Sequence, residues 1–214
     1  MKIFAEFIDE NEISYRRTTL LQFGDSWDLI GSAVLKNPGS AKRKSNIGDE
    51  DFRNVIKLYP LENLNPNTWY NSTQDPTMAF LGKIFSGSYI RKERQLNGVI
   101  QLFNLHYIKD ANIVTAREKI KNNYSIHLYK NVDEIISLFK DKPVFLGWFN
   151  EYNLSEDTQT KSKKIFDYIN DGKYMYLRPT LCDNKFYHPI YINRAFKIQP
   201  IQETLNSFYN ILEK

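Results

Sequence analysis

The sequence predicts an α/β protein, a three-layer sandwich in which helices cover both faces of a central, mostly parallel, four-stranded sheet. Apolar runs of strand length alternate along the chain with segments whose apolar residues recur at helical spacing. This alternation is typical of a parallel sheet, because parallel strands need a crossover connection that is usually a helix. The chain has 214 residues, of which 42% are hydrophobic and 14% aromatic, which is enough for one sizeable core. We therefore expect a single domain over residues 1–214.

Each element has its own signal along the chain. Residues 1–28 carry apolar stretches at 3–8 and 13–23 and read as an edge hairpin or N-terminal extension. Short apolar runs predict the strands of the central sheet at residues 32–36, 99–103, 143–149 and 174–177. Helical spacing predicts helices at residues 76–85, 132–140, 161–169 and 201–212. Polar tracts at residues 42–50 and 59–74 read as loops inserted after the first of these strands.

Composition excludes several classes of protein. Lys and Arg number 29 against 25 Asp and Glu, so the net charge of +4 is compatible with a polyanionic partner without requiring one. The single Cys182 allows no internal disulfide, and with three His the chain offers no Cys/His cluster of zinc spacing. No stretch approaches the roughly 18 apolar residues of a membrane span. We expect a cytoplasmic protein that uses no metal or other cofactor and does not associate with membranes.

The most informative motif follows the first predicted strand of the central sheet. Residues 37–39 read Asn-Pro-Gly, and Ser40 and Ala41 come next. Pro fixes φ and Gly accepts positive φ, so a sharp turn would hold the Asn37 amide at the tip of the strand. Ligands of open α/β sheets bind at the carboxyl ends of the strands, where an amide can orient a water or read a base edge. An ordinary turn is the alternative interpretation.

Three further landmarks follow in order. The second predicted strand ends in Asn104, whose amide can either pair with the edge of a base or simply cap the next loop. The third contains Gly147-Trp148, in which the Trp is expected in the core. Late in the chain, His188-Pro189 offers either a functional imidazole or an incidental surface His.

Together these landmarks resemble the motifs of the uracil-DNA glycosylase superfamily, over most of the chain from about residue 29 onward. In that superfamily an Asp-Pro or Asn-Pro-Gly motif follows the first strand, a second strand ends in Asn, and a His-Pro-Ser motif comes late. The chain is also similar to an uncharacterised bacterial family with Asn-Pro-Ser-Thr-Ala, Asp-Asp-Pro-Thr and His-Pro-Leu motifs. The corresponding residues here are 37–41, 74–77 and 188–190.

The sequence departs from the glycosylase pattern at three places. Leu35 stands where the glycosylases have Gly, Ile190 follows His188-Pro189 in place of Ser, and Phe149-Asn150 follows Trp148 in place of Gly. We therefore expect kinship of fold to extend further than identity of substrate.

The resemblance implies a hydrolase, a DNA glycosylase of base-excision repair that cleaves the N-glycosidic bond of a damaged or modified base. Asn37 would position the attacking water, His188 would donate to an oxygen of the departing base, and Asn104 would select the base edge. An aromatic side chain would stack on the extruded base. The candidates for stacking are Phe80, whose place on an apolar helical face with Ile84 favours the core, and Trp69 and Tyr70, which lie in a polar tract.

Residues next to the first motif are the candidates for contact with the DNA backbone. These are Ser40, Lys42, Arg43 and Lys44. Two alternatives to a DNA glycosylase stay open on the same scaffold: an enzyme that acts on a free nucleoside or nucleotide, and a non-catalytic nucleic-acid-binding module.

Overall fold

The computed structural model describes residues 1–60, 63–121, 125–172 and 174–214, which form seven strands and seven helices. The strands are β1 (Lys2–Glu10), β2 (Ile13–Phe23), β3 (Leu29–Leu35), β4 (Arg43–Asn46), β5 (Trp69–Ser72), β6 (Gly98–Asn104) and β7 (Val144–Gly147). The helices are α1 (Asp49–Leu58), α2 (Pro76–Ser86), α3 (Ile113–Lys121), α4 (Val132–Ser137), α5 (Glu156–Asp171), α6 (Pro189–Ala195) and α7 (Gln199–Leu212). The prediction of an α/β protein is confirmed.

All seven strands lie in one mixed sheet, in the order β4-β5-β1-β2-β6-β3-β7. Strand β3 pairs in parallel with β6 and β7, and the other pairings among the described strands are antiparallel. The prediction of a four-stranded, mostly parallel sheet is therefore wrong in strand number and in direction. The periodicity of a segment reports how it is buried, whereas direction depends on which distant segment it pairs with.

The N-terminal hairpin lies inside the sheet and not at its edge. Asn11 and Glu12 form its turn with φ of 49° and 64°, the left-handed values that a tight two-residue hairpin favours. Strand β1 then pairs with β5, and β2 pairs with β6 from Thr19 opposite Leu102 to Phe23 opposite Gly98. The start of β2 therefore lies beside the carboxyl end of β6.

Helices cover both faces of the sheet. On one face α1, α4 and α5 bury apolar side chains against alternate strand residues, among them Val34 and Phe103. On the other face α2, α6 and α7 pack against the intervening residues, among them Ala33 and Leu102. Burial of alternate side chains on opposite faces explains why β3 and β6 read as continuous apolar runs.

The four predicted helices all occur, with shifted ends. Helix α5 begins earlier than predicted because Ser155 and Thr158 form a reciprocal capping box at its first turn. Helix α4 ends earlier, and Lys140 and Asp141 after it take φ of 48° and 51°, which are not helical values.

The predicted strand at residues 174–177 is not a strand. Its side chains cover the outer edge of β7 instead. The Leu146 amide donates to the Tyr176 hydroxyl at 2.7 Å, and the Tyr176 ring packs against Phe145 and Phe208. A side-chain oxygen thus replaces the backbone carbonyl that a further strand would have supplied.

The two polar tracts, residues 42–50 and 59–74, are predicted as loops but contain regular secondary structure. The first contains β4 and the start of α1, and the second contains β5. These short strands form the far edge of the sheet, where Arg43 lies opposite Ser72 and Asn46 opposite Tyr70. Their polar composition hides them from a hydrophobic pattern because edge strands are often short and charged.

No helix in the described ranges is both long enough and apolar enough to cross a membrane.

Candidate functional site

The candidate site lies at the carboxyl edge of the parallel strands. Strands β3 and β6 are adjacent, and Leu35, the last residue of β3, is the partner of Asn104, the last residue of β6. The chain therefore leaves both strands at the same edge of the sheet. This arrangement brings the Asn37 turn next to Asn104, as the order of the motifs predicts.

Asn37 is held by hydrogen bonds within and beyond its own turn. Its Nδ2 donates to the main-chain oxygens of Pro38 at 2.9 Å and Asp110 at 3.0 Å. The two amide hydrogens are thereby used, and the orientation of the side chain is fixed. The carbonyl oxygen Oδ1 remains as an acceptor for a ligand or a water.

Asn104 is nearly fully buried, and its Nδ2 has no hydrogen-bond partner within the described chain. Beneath it, Lys161 of α5 donates to the main-chain oxygens of Asn104 at 2.8 Å and Leu105 at 3.0 Å. The strand end is thus anchored from the helical layer while the side-chain donor is unused. A buried donor without a partner is costly, so this amide is suited to an incoming acceptor.

His188 is the N-cap of α6 and is 5% exposed. Its Nδ1 accepts from the Ile190 amide at 3.4 Å, which places the ring proton on Nε2. Burial, with a smaller contribution from the positive charge of Lys36, lowers the pKa of His188 to about 3. The imidazole is therefore a neutral Nε2–H donor at physiological pH.

These three side chains line one cavity of about 150 Å³, which we call the candidate cavity. Asn37 and Asn104 reach it from strand ends, and His188 reaches it from a helix start. The other lining residues are Arg16, Leu35, Lys36, Gly39, Asp75, Thr77, Leu102, Asp110, Ala111, Ile113 and Ile190. The walls are thus partly apolar, with amide, imidazole and charged groups directed at one small volume.

Leu35 occupies the position where the glycosylase pattern has Gly. Its side chain lies against Gly147 of β7, where an added Cβ would come within 2.8 Å of Leu35 Cδ2. The absence of a side chain at Gly147 thus makes room for Leu35, which contributes an apolar wall to the cavity.

The candidate cavity is also lined by a buried ion pair that the sequence analysis does not predict. Arg16 of β2 is 2% exposed and Asp75 is 5% exposed. The Nη1 atom of Arg16 lies 3.5 Å from Oδ2 of Asp75. The sequence analysis includes Asp75 only within residues 74–77, the segment similar to the Asp-Asp-Pro-Thr motif, and gives it no place in the site. The available signal for Arg16 is its charge within the otherwise strand-like segment 13–23.

Two further charged groups border the cavity. The hydrogen bond from Lys119, followed by smaller effects that include the Asn112 amide, lowers the pKa of the Asp110 carboxyl. Burial lowers the pKa of Lys36, and nearby Glu151 partly opposes that shift. Lys36 lines the cavity and has no carboxylate within 4.0 Å among the described residues.

The three aromatic candidates for stacking do not line the candidate cavity. Trp69, the first residue of β5, is buried beside Tyr59, although its tract suggests a surface position. Tyr70 packs edge-on to Phe7, and Phe80 lies on α2 with the Lys83 ammonium 5.8 Å from its ring centroid. Among the residues that line the candidate cavity, His188 is the one that carries a ring.

The backbone-contact candidates divide between two places. Lys42 and Arg43 line a second pocket of about 240 Å³ with Lys109, a residue not foreseen from the sequence. We call these three residues the basic rim. Ser40 and Lys44 are exposed but line neither pocket.

Within the basic rim, Arg43 is fixed and the two lysines are unpaired. The Arg43 guanidinium lies 5.1 Å from the ring centroids of both Phe7 and Tyr70, and it pairs with Asp9 at 2.6 Å. Neither Lys42 nor Lys109 has a carboxylate within 4.0 Å among the described residues.

The described ranges contain no group of three or more His, Cys, Asp or Glu side chains that could hold a metal ion. Comparisons of the chain with protein-family models, with curated proteins and with solved structures find no significant match. The function is therefore inferred from the site itself.

Proposed function

We propose that this protein is a DNA base-excising N-glycosylase, which hydrolyses the bond between deoxyribose and a damaged or modified base turned out of the DNA stack. The observation that supports the proposal most is the convergence of Asn37, Asn104 and His188 on one cavity at the carboxyl edge of the parallel strands. These are the residues that the resemblance to uracil-DNA glycosylases singles out.

The size of the candidate cavity favours a single-ring base. Its volume is about 150 Å³. A protein cavity of about this volume holds a benzene molecule. A pyrimidine is one six-membered ring with polar edges, so it suits both the volume and the mixed lining, whereas a purine carries a second ring.

The three side chains divide the work of hydrolysis. Asn37 Oδ1 accepts a hydrogen bond from the attacking water, and Asn104 Nδ2 donates to an oxygen or ring nitrogen of the base. His188 Nε2–H donates to the base as negative charge accumulates on it during departure. Groups that bind the developing charge more strongly than the neutral base accelerate bond cleavage.

A neutral His188 suits this role. Its pKa of about 3 means that the ring stays uncharged when the pH varies around neutrality, with its proton on Nε2. The nearby Lys36 charge also favours an anionic leaving base, and in a site of low dielectric such charges act strongly.

The basic rim supports a polymeric substrate. The unpaired ammonium groups of Lys42 and Lys109 face a pocket next to Arg43, and the loop that carries Lys42 begins at the Asn37 turn. Phosphodiester oxygens are the partners that such groups bind without reading sequence. Asp110 lines the candidate cavity directly after Lys109, so base and phosphate would be bound by the same loop.

An oligonucleotide cleavage assay tests the proposal. Single- and double-stranded oligonucleotides, each with one uracil or modified pyrimidine, are incubated with the protein and then heated in alkali to cut abasic sites. We expect cleavage at a modified pyrimidine, and its loss in Asn104→Ala. Binding with no abasic product from any oligonucleotide would refute catalysis and leave a binding module. Release of base only from free nucleosides would refute DNA as the substrate.

A further inference from the structure

The Asp75 carboxylate has one oxygen in a structural role and one without a hydrogen bond. Oδ1 accepts from the Met78 amide at 3.0 Å and so caps α2. Oδ2 is buried, accepts no hydrogen bond within the described chain, and lies 3.5 Å from Arg16 Nη1. The Arg16 atoms Nε and Nη1 likewise have no hydrogen-bond partner there.

The residue that carries this oxygen lines the candidate cavity. Asp75 and Arg16 both line it, and the carboxylate lies against the turn that carries Asn37. A Cβ placed on Gly39 would come within 2.9 Å of Asp75 Oδ2. Gly39, two residues after Asn37, therefore leaves space that the carboxylate occupies.

A helix cap alone does not account for this arrangement. Capping needs one acceptor, which many N-cap residues supply at the protein surface. Here the second oxygen is buried beside a buried guanidinium, and neither group is saturated with hydrogen bonds. Unsatisfied buried charges are unfavourable for stability, and they occur at sites that bind a ligand or perform a reaction.

We propose that Asp75 is the catalytic carboxylate of this site, an inference that rests on the proposed glycosylase function. The water held by Asn37 attacks C1′ of the deoxyribose and transfers a proton to Asp75 Oδ2. The bond between C1′ and the base nitrogen breaks, and its electron pair leaves with the base. The base anion, bound by His188 Nε2–H, then takes a proton from solvent, and Asp75 releases to solvent the proton that it accepted. One water is thus consumed, the carboxylate is regenerated, and the products are a free base and an abasic sugar.

Asp75 supplies two properties that Asn37 lacks. A carboxylate can accept the proton of the attacking water, whereas an amide only orients it. Its negative charge also lies where positive charge develops on the sugar as the base departs. In the protein without substrate, the buried guanidinium of Arg16 balances the negative charge of the Asp75 carboxylate.

Asp75→Asn tests the role without removing the cap, because Asn is as good an N-cap as Asp. We expect base release under single turnover to slow by about 10²-fold or more. The dissociation constant for an oligonucleotide with a non-cleavable 2′-fluoro nucleotide should stay within about threefold, since binding does not need the proton acceptor. Sodium formate should restore part of the rate of Asp75→Ala by supplying a small carboxylate.

A matched control separates catalysis from capping. Asn131 caps α4 by accepting a hydrogen bond from the Asp133 amide, and Asn131→Ala should lower the unfolding midpoint with unchanged base release. If Asp75→Asn does not fold, Gly39→Ala is used in its place to test the role of Asp75. It crowds Oδ2 and leaves the Oδ1 cap in place, and it should also slow base release.

The outcomes distinguish this inference from the proposed function. Base release by the unaltered protein together with equal rates in Asp75→Asn, or in Gly39→Ala if that variant is used, would overturn the role of Asp75 alone. If the unaltered protein released no base from any oligonucleotide, the glycosylase proposal and the role of Asp75 would both fail.

Discussion

Lys161→Met is expected to change how the stability of the protein depends on pH. Lys161 is buried in α5, and its ammonium donates to the main-chain oxygens at the end of β6. Burial, followed by the positive charges of Lys130 and Arg17, lowers its pKa from 10.5 to about 7. Met keeps the unbranched apolar stem and removes the titrating group.

The sign follows from proton binding. Between pH 7 and 10.5 the unfolded chain holds a proton on Lys161 that the folded chain has released. The free energy of unfolding therefore rises with pH in this window, by about 1.4 kcal/mol for each pH unit from this one residue. Below pH 7 both states are protonated, so the penalty for burying the charge is constant and at its largest.

Urea unfolding of both proteins between about pH 7.5 and pH 9.5 measures the effect. The parent protein should gain stability relative to Lys161→Met by about 2–3 kcal/mol over that interval. Lys163→Met is a suitable control, because Lys163 lies on the same helix with its side chain 68% exposed. Parallel curves for the parent and Lys161→Met would refute the assignment of a lowered pKa to Lys161.

Three other variants test the site and its support. Asn37→Ala should slow base release by about 10²-fold or more with little loss of DNA affinity, and equal single-turnover rates would remove its role in placing water. Replacing both Lys42 and Lys109 by Ala should weaken DNA binding equally for all sequences. The logarithm of the binding constant should also fall less steeply with the logarithm of the salt concentration, as the loss of about two phosphate contacts predicts. An unchanged salt slope in fluorescence anisotropy would exclude both from the interface. Gly147→Ala should destabilise the fold by about 1–3 kcal/mol, because its Cβ would lie 2.8 Å from Leu35 Cδ2. Equal urea midpoints for this variant and the parent protein would contradict this and show that Leu35 moves aside.

The central strands β3 and β6 and the polar residues at their ends follow from the sequence because both signals are local. Residues 32–35 and 99–103 are buried on both faces of the sheet and so read as apolar runs. Asn37 and Asn104 come directly after or at the end of these runs, and parallel neighbours end at the same edge of the sheet. Their common location could therefore be predicted without knowledge of the other strands.

The rest of the site depends on pairings between distant segments. Arg16 reaches the candidate cavity only because β2 inserts beside β6, and Lys109 joins Lys42 only through the loop that follows β6. The free oxygen of Asp75 and the neutral state of His188 depend on burial and on neighbouring charges. A sequence pattern carries none of this information.

The side chain that closes the outer edge of β7 also bears on self-association. Edge strands with free amides recruit strands from other molecules and can seed aggregates. At β7 the Tyr176 hydroxyl already accepts the hydrogen bond of the Leu146 amide. A strand from a second copy would therefore have to displace the Tyr176 ring, which packs against Phe145. The opposite edge, β4, carries the adjacent cations Arg43 and Lys44, which would repel the same strand of another copy. Both ends of the sheet therefore oppose growth by strand addition.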